Sequence, residues 1–178
     1  MKIAFLDRDG VINEEIGYLH RISDFRYTNK CVDGLRQLRD LGFQIVIITN
    51  QAGIAKGYFT EHQYHLLTNW LVNDLKKKMI PILQIQFCPH HKNAVIDEYR
   101  KDCSFRKPGT GMIDSIAESF DVDLNSSILI GDKQSDIDAG LAAGIPNCFL
   151  MRSIYTPESS LSYDSVFEIA LKIKESHL

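Results

Sequence analysis

The chain has 178 residues, 44% of them hydrophobic, and carries a formal net charge of −3 at pH 7. This length and apolar content suit one core, so we predict a single domain over residues 1–178 and expect a monomer. The lysines and arginines form no basic stripe, which argues against a nucleic-acid partner. No apolar stretch approaches the length of a membrane span or a signal peptide, so the sequence predicts a cytoplasmic protein with no membrane partner.

Short apolar runs alternate with helical patterns along the chain. The runs that predict strands are, in order, "KIAFLD", "QIVIITN", "ILQIQFC", "SILIGD" and "NCFLM". Three of them are almost wholly apolar, as in a sheet that is covered on both faces. Such sheets are built from parallel strands, so we expect a parallel arrangement here.

Helices are predicted between these strands. The spacing of Val32, Leu35, Leu38 and Leu41 marks the first, and the second begins at Thr60 with a glutamine three residues later, a capping-box pattern. Further helices are predicted roughly over residues 112–120, 136–143 and 166–174. This alternation favours an α/β fold with a doubly wound, Rossmann-like parallel sheet, whose ligands bind outside the carboxyl ends of the strands.

Two connections, residues 10–29 and 88–108, are long and lack clear periodicity. Long ordered loops in a compact domain are usually functional. Neither loop is large enough to form a separate cap domain. We therefore expect minimal cap loops around an open pocket that suits a small substrate.

Polar residues gather where the predicted strands end. They are Asp7 and Asp9 after the first strand, Thr49, Asn50 and Gln51 after the second, and Asp132 and Asp136 around the fourth. Turn and cap preferences would explain any one of these groups, but not all three together. Carboxylates at adjacent strand ends would repel one another unless a cation lies between them. Oxygen ligands without histidine or cysteine suit Mg²⁺, which typically shares its ligands with a substrate phosphate.

The stretch "CSFRKPG" places Arg106 and Lys107 ahead of the third predicted long helix. The two side chains can neutralise phosphoryl oxygens. A solvated basic pair before a proline would be the simpler interpretation if these residues stood alone. The acidic motifs make phosphate binding the better interpretation.

Four motifs together resemble a known family. "DRDG" after a first strand, "TNQ" after a second, "RKP", and "GDKQSD" after a later strand are similar to the motifs of the haloacid dehalogenase-like phosphohydrolases. "DxDG" alone is weak, but the set in this order is specific, and the resemblance covers roughly residues 3–152. It implies a Mg²⁺-dependent phosphatase that works through an aspartyl-phosphate.

The resemblance also implies roles for the acidic residues. Asp7 would be the nucleophile that attacks phosphorus. Asp9 would protonate the leaving alkoxide and then activate the water that hydrolyses the intermediate. Mg²⁺ would be held by the side chains of Asp7 and Asp132 and by the backbone carbonyl of Asp9. Asp136 would support this set of ligands.

Further residues at the strand ends are expected to act on the phosphoryl group or the substrate. Thr49 would donate its hydroxyl to the phosphoryl group, and Lys107 would balance charge on the nucleophile and the transferring oxygens. The remaining polar residues of these motifs are expected to contact substrate, and they are Asn50, Gln51 and Lys133.

Within the superfamily, "TNQAGIAKGYFT", "CPHH" and "CSFRKPGTGM" are similar to the branch of histidinol-phosphate phosphatases and D-glycero-D-manno-heptose 1,7-bisphosphate phosphatases. The stretch "INEEIGYLHRISDFRY" resembles the heptose enzymes. That resemblance places Glu15, Ile16, Gly17 and Tyr18 near a sugar phosphate, with Arg106 recognising a second phosphate or the sugar. Packing within an ordered loop is the alternative explanation for Tyr18.

The same branch usually carries a zinc loop of the form CxH followed by CxC. This chain keeps three of the four ligands, which are Cys88, His90 and Cys103. Phe105 stands where the last cysteine is expected, and a structural zinc needs four ligands. Either His91, Asp102 or water completes a Zn²⁺ site, or the loop folds around Phe105 without metal.

Three other functions remain as alternatives. One is the same chemistry on histidinol phosphate or another small phosphomonoester. Another is a catalytically silent phosphate-binding module, against which the combination of a nucleophile and an acid argues. The third is a nucleic-acid 3'-phosphatase, which the acidic balance and the lack of an aromatic and basic track disfavour.

Overall fold

A computed structural model describes residues 1–156 and 160–176 of the chain. Within them, a five-stranded parallel sheet has the order β3-β2-β1-β4-β5. The strands are β1 Ile3–Leu6, β2 Gln44–Asn50, β3 Ile82–Cys88, β4 Ile128–Gly131 and β5 Asn147–Leu150. All five predicted strands are confirmed, and so is the doubly wound α/β class.

Helices cover both faces of this sheet. They are α1 Cys31–Asp40, α2 Ala52–Ala55, α3 Glu61–Lys77, α4 Gly111–Ser119, α5 Gln134–Ala142 and α6 Val166–Ser176, with short 3-10 helices at Ile22–Asp24 and Asp97–Tyr99. No helix in the described residues is apolar enough over a sufficient length to cross a membrane.

Two apolar layers follow from the alternation of side chains along the strands. On one face, Ala4 and Leu6 of β1 pack with α1, α3 and α6. On the other face, Ile3 and Phe5 of the same strand pack with α4 and α5. The strand β1 is fully buried because both of its faces are covered.

Local sequence signals account for where individual helices begin and how they pack. The backbone N–H of Gln63 donates to Thr60 Oγ1 at 3.2 Å, and the N–H of Thr60 donates to Gln63 Oε1 at 2.9 Å, which confirms the capping box of α3. Gly34 lets α1 approach the start of α6, since a Cβ there would collide with the backbone of Phe167. The one-turn helix α2 was not predicted, because four residues show no helical period.

The strand order positions the site. Consecutive connections run outward from β1 to β2 and β3 on one side, and then to β4 and β5 on the other. The direction in which strands are added to the sheet therefore reverses between β1 and β4. Such switch points leave a crevice at the carboxyl ends of the strands. The segments after β1, β2 and β4 meet at this crevice, as the sequence predicted.

Candidate functional site

The loop after β1 begins with a carboxylate that the sheet holds in place. The backbone N–H of Asp7 donates to Ile130 O of β4 at 2.9 Å. Three residues later Gly10 adopts φ +85°, and a Cβ at this position would collide with the Asp132 carboxylate. Glycine is thus required for the chain to turn so close to the next acid.

Three carboxylates converge at this turn. Oxygen atoms of Asp7, Asp132 and Asp136 all lie within 4.8 Å of one another. Asp132 is fully buried, and neither of its carboxylate oxygens has a hydrogen-bond partner within the described residues. Burial, with the added charge of Asp7, raises the pKa of Asp132 to about 7. Buried acidic oxygens without donors fit a divalent cation with a preference for oxygen ligands.

Lys107 balances part of this negative charge. Its ammonium lies 3.0 Å from Asp7 Oδ1 and 2.7 Å from Asp136 Oδ1, and it donates to Ile48 O at 2.8 Å. Burial lowers the pKa of Lys107, but the two carboxylates outweigh that effect and the net shift is upward. Burial is also the largest influence on Asp7, whose pKa rises to about 6 although Lys107 opposes the shift.

Asn50 fixes the backbone beside this lysine. Its Nδ2 donates to Lys107 O at 3.1 Å, and its Oδ1 accepts from the Lys107 backbone N–H at 3.1 Å. Both ends of the amide are therefore occupied by the protein. Asn50 lines the cavity, and it also holds the segment that carries Lys107 against β2.

Asp9 is held by a set of donors that the sequence did not reveal. The Arg8 guanidinium, which is almost fully buried, donates to both Asp9 oxygens at 3.0 Å, and Asn13 Nδ2 donates to Asp9 Oδ1 at 3.0 Å. Burial raises the pKa of Asp9, but Arg8 and the hydrogen bonds from Asn13 and Gln51 outweigh it and leave the pKa below its usual range. The sequence analysis missed Arg8, and a charged side chain directly between two acids is the signal that could have found it.

Gln51 connects the loops after β1 and β2. Its Nε2 donates to Asp9 Oδ2 at 2.8 Å and to Thr49 Oγ1 at 2.7 Å, while its Oε1 accepts from Arg8 at 3.2 Å. Thr49 is buried, and because its oxygen already accepts a hydrogen bond, its hydroxyl proton is left to donate elsewhere.

A cavity of about 460 Å³ opens above these groups. Most of the site residues that the sequence predicted line it, which are Asp7, Asp9, Glu15, Gly17, Tyr18, Asn50, Gln51, Arg106, Lys107, Lys133 and Asp136. Thr49 and Asp132 are buried and are not among the lining residues. The structure adds lining residues that the sequence did not single out, which include Lys56, Ser135 and Tyr155, and His91, which the sequence offered as a zinc ligand, lines the cavity instead.

Lys133 joins the loop after β4 to the loop after β1. Its ammonium lies 3.2 Å from Glu15 Oε2 and 3.9 Å from Asp132 Oδ1, and it sits 4.4 Å from the centroid of the Tyr155 ring. The other Glu15 oxygen accepts from the Gly17 backbone N–H at 2.8 Å. Glu15 therefore fixes the turn that carries Tyr18 relative to the acidic site.

Comparisons with known proteins agree with this geometry. A family model described as polynucleotide kinase 3 phosphatase matches residues 2–168. A D-glycero-alpha-D-manno-heptose-1,7-bisphosphate 7-phosphatase from Photorhabdus laumondii is 58% identical over 153 residues, which are 86% of this chain and 84% of that one. The chain belongs to the heptose 1,7-bisphosphate 7-phosphatase family of haloacid dehalogenase-like phosphohydrolases. It is a phosphoric monoester hydrolase.

Other relatives and solved structures are less similar in sequence. The D-glycero-beta-D-manno-heptose-1,7-bisphosphate 7-phosphatase of Escherichia coli K12 is 39% identical over 91% of this chain and 86% of its own length. Among solved structures, a HAD-like phosphatase from Mesorhizobium loti superposes with a TM-score of 0.86 at 25% identity, covering 99% of this chain and 87% of that one. The D,D-heptose 1.7-bisphosphate phosphatase of B. bronchiseptica, complexed with magnesium and phosphate, superposes with a TM-score of 0.82 at 24% identity, covering 99% of both chains.

The predicted remnant of the family's zinc loop is brought together in the structure. Ligand atoms of Cys88, His90 and Cys103 lie within 4.8 Å of one another, and Cys88 Sγ is 3.8 Å from His90 Nδ1. Burial is the main reason that the pKa of the Cys88 thiol rises to about 11. Phe105 packs against the apolar layer of α4 and α5, and His91 lines the cavity, so neither belongs to this cluster.

Proposed function

We propose that the enzyme hydrolyses the 7-phosphate of D-glycero-α-D-manno-heptose 1,7-bisphosphate and releases heptose 1-phosphate. The observation that carries this proposal is the 58% identity to a relative named for the alpha anomer, against 39% to the E. coli enzyme named for the beta anomer. A cavity that joins a carboxylate cluster to several cationic side chains suits a small bisphosphate.

Asp7 is the proposed nucleophile. Its Oδ1 is occupied by the Arg8 backbone N–H at 2.8 Å and by the Lys107 ammonium at 3.0 Å. Its Oδ2 receives no hydrogen bond within the described residues and is therefore the oxygen that attacks. The new bond joins this oxygen to phosphorus, and the bond between phosphorus and the C7 oxygen of the sugar breaks. Lys107 and Thr49 would stabilise the charge that develops on the phosphoryl oxygens.

Asp9 is the proposed acid and base. In the first step a proton on its carboxyl passes to the departing sugar alkoxide. In the second step the carboxylate takes a proton from water, whose oxygen bonds to phosphorus as the bond to Asp7 breaks. The donors Arg8 and Gln51 and the lowered pKa of Asp9 favour its carboxylate, which is the form that the second step needs.

A divalent cation fits the acidic cluster, and we propose Mg²⁺. The two unpartnered oxygens of Asp132 and the nearby carboxylates of Asp7 and Asp136 provide the oxygen ligands that this ion prefers. Asp7 and Asp132 would hold it with their side chains, Asp9 with its backbone carbonyl, and Asp136 would support them. The ion, when bound, would offset the negative charge of the phosphoryl group.

We propose that the loop after β1 recognises the sugar. Glu15, Gly17 and Tyr18 line the cavity on this loop, and Lys133 is tied to it through Glu15. Arg106 lines the same cavity and is the proposed reader of the second phosphate, because its planar guanidinium can bind phosphate with two parallel hydrogen bonds. Asn50 and Gln51 act mainly by positioning Lys107, Asp9 and Thr49, since their amide groups are engaged there.

A second candidate function comes from the description of the matching family model, which names a polynucleotide 3' phosphatase. A phosphate-release assay separates the candidates when it compares the two anomeric heptose bisphosphates, histidinol phosphate and a 3'-phosphorylated oligonucleotide. We expect the highest kcat/KM for the α-heptose bisphosphate. A higher kcat/KM for histidinol phosphate or for the oligonucleotide would contradict the proposal and leave only the phosphatase chemistry.

A further inference from the structure

Lys56 lines the catalytic cavity but has no role in the chemistry described above. It follows the one-turn helix α2, and its backbone N–H donates to Ala52 O at 3.0 Å. Its side chain is half-buried, whereas that of Lys107 is buried. The short helix after β2 thus delivers an ammonium group to the same space that Asp7 reaches from β1.

The cations around the cavity differ in how their charge is balanced. Lys107 is paired with Asp7 and Asp136, and Lys133 is paired with Glu15. In contrast, neither Lys56 nor Arg106 has a carboxylate oxygen within 4.0 Å in residues 1–156 and 160–176. Among the described residues, the cavity therefore presents two positive charges without a paired carboxylate.

These two charges lie in one neighbourhood. Lys56 and Arg106 both line the cavity of about 460 Å³, together with His91. The Arg106 guanidinium is oriented by donation to His90 O at 3.2 Å. A doubly charged phosphate group would be matched by this pair in both sign and size of charge.

Tyr18 holds the Lys56 side chain over the cavity. The Lys56 ammonium donates to the Tyr18 hydroxyl at 2.7 Å and lies 5.2 Å from the centroid of the same ring. Tyr18 packs on Tyr58 with ring centroids 4.4 Å apart, and a Cβ at Gly53 would come within 2.9 Å of the Tyr18 ring. The ammonium is thus oriented before any ligand arrives, which reduces the entropy lost on binding.

We propose that Lys56 acts with Arg106 to bind the phosphate of the substrate that is not hydrolysed, and that Lys56 is therefore a determinant of specificity for bisphosphates. This inference rests on the proposed function, because it concerns the far end of the same substrate. Tyr18 is the positioning residue for the Lys56 ammonium. The two cations would bind this phosphate equally well in the ground state and the transition state. Loss of one of them should therefore raise KM and leave kcat nearly unchanged.

The test compares heptose 1,7-bisphosphate with heptose 7-phosphate, which lacks the second phosphate, in the wild type and in Lys56→Met. We expect the ratio of the two kcat/KM values to fall by about 10- to 100-fold in Lys56→Met, as for the loss of one charge-assisted hydrogen bond. The change should come from a higher KM for the bisphosphate. Lys56→Arg, which keeps the charge, should retain most of the preference.

Lys92→Met is the matched control, because Lys92 is an exposed lysine that follows His91 in the sequence but does not line the cavity. In Lys92→Met, the ratio of kcat/KM for the bisphosphate to kcat/KM for heptose 7-phosphate should equal that of the wild type. An unchanged ratio in Lys56→Met, or an equal fall in Lys92→Met, would overturn the inference. A wild type with no preference for the bisphosphate would also overturn it. A wild type that releases no phosphate from C7 of the bisphosphate would instead refute the proposed function, so the two failures are distinguishable.

Discussion

At the scale of single residues, the site depends on how the two oxygens of Asp7 are used. Lys107 and the Arg8 backbone N–H both bind Oδ1, which leaves Oδ2 for the proposed attack on phosphorus. The same lysine is held by Asp136 at 2.7 Å and by the Ile48 carbonyl at 2.8 Å, so its ammonium has little freedom to move. This rigidity is what electrostatic stabilisation of a transition state requires, because no reorganisation is needed during the reaction.

Asp7→Asn should abolish turnover while the fold is kept. The amide has nearly the same shape, but it lacks the negative charge that attacks phosphorus. Loss of a covalent nucleophile typically costs about 10⁴-fold or more in kcat. Phosphate release from the heptose bisphosphate measures the activity, and circular dichroism checks the fold. A folded Asp7→Asn enzyme that retains near-normal kcat would rule out the covalent mechanism.

The motifs predicted these residue types but not all of their contacts. Asp7, Asp132 and Lys107 converge because parallel strands end at the same edge, which a sequence pattern can reveal. Whether the Gln51 amide faces substrate or Asp9 depends on side-chain geometry in the folded state. The same is true of Arg8 and Lys56, whose partners lie on other loops.

At the scale of elements, the loop after β1 is anchored to the helix α3. Tyr27 donates its hydroxyl to Asp74 Oδ2 at 2.7 Å, and Lys78 donates to the same oxygen at 2.6 Å. The hydrogen bond from Lys78 is the largest of the influences that hold the pKa of Asp74 below its usual value. This anchor supports the loop that carries Glu15 and Tyr18 into the cavity.

Asp74→Asn should lower the free energy of unfolding at pH 7 by about 1 kcal/mol, because a partly exposed ionic hydrogen bond is lost. A carboxylate whose pKa is lowered on folding stabilises the protein above its unfolded pKa, and this contribution is lost as pH falls through the folded pKa. The difference from the wild type should therefore shrink at pH values below the ordinary value of 3.8. Urea unfolding of both proteins at pH 7 and pH 3 measures this difference in the free energy of unfolding.

Asp40→Asn provides the control, since the Asp40 carboxylate is mostly exposed and pairs with the adjacent Arg39. It should change the free energy of unfolding little at either pH. An Asp74→Asn effect of the same size at pH 7 and pH 3 would show that charge at this position does not stabilise the loop anchor.

The end of β3 and the loop that follows it carry the three clustered zinc donors, and we propose that these residues bind Zn²⁺ with a fourth ligand from outside the cluster. Elemental analysis should find about one zinc per chain, and Cys103→Ser should lose it. Cys148→Ser is the control, because Cys148 lies at β5 and not in the cluster. Metal-free wild type with full activity would favour a loop held by Phe105 alone.

At the scale of the whole molecule, one sheet would support both ends of the proposed substrate. The carboxylates of the acidic site follow β1 and β4, whereas Lys56 follows β2 and Arg106 lies in the loop after β3. We propose that residues 1–178 form one domain, because the described helices pack on the two faces of this one sheet. Strand periodicity predicted the elements well, but the order β3-β2-β1-β4-β5 depends on contacts between distant segments.

The central claim is that the enzyme removes the phosphate at C7 and leaves the phosphate at C1. The most direct measurement is ³¹P NMR of the wild-type reaction with the α-heptose bisphosphate and Mg²⁺. We predict that the resonance of the C7 phosphomonoester disappears as inorganic phosphate grows, while the resonance of the anomeric phosphate persists. Loss of the anomeric resonance first, or no release of phosphate from either position, would contradict the account.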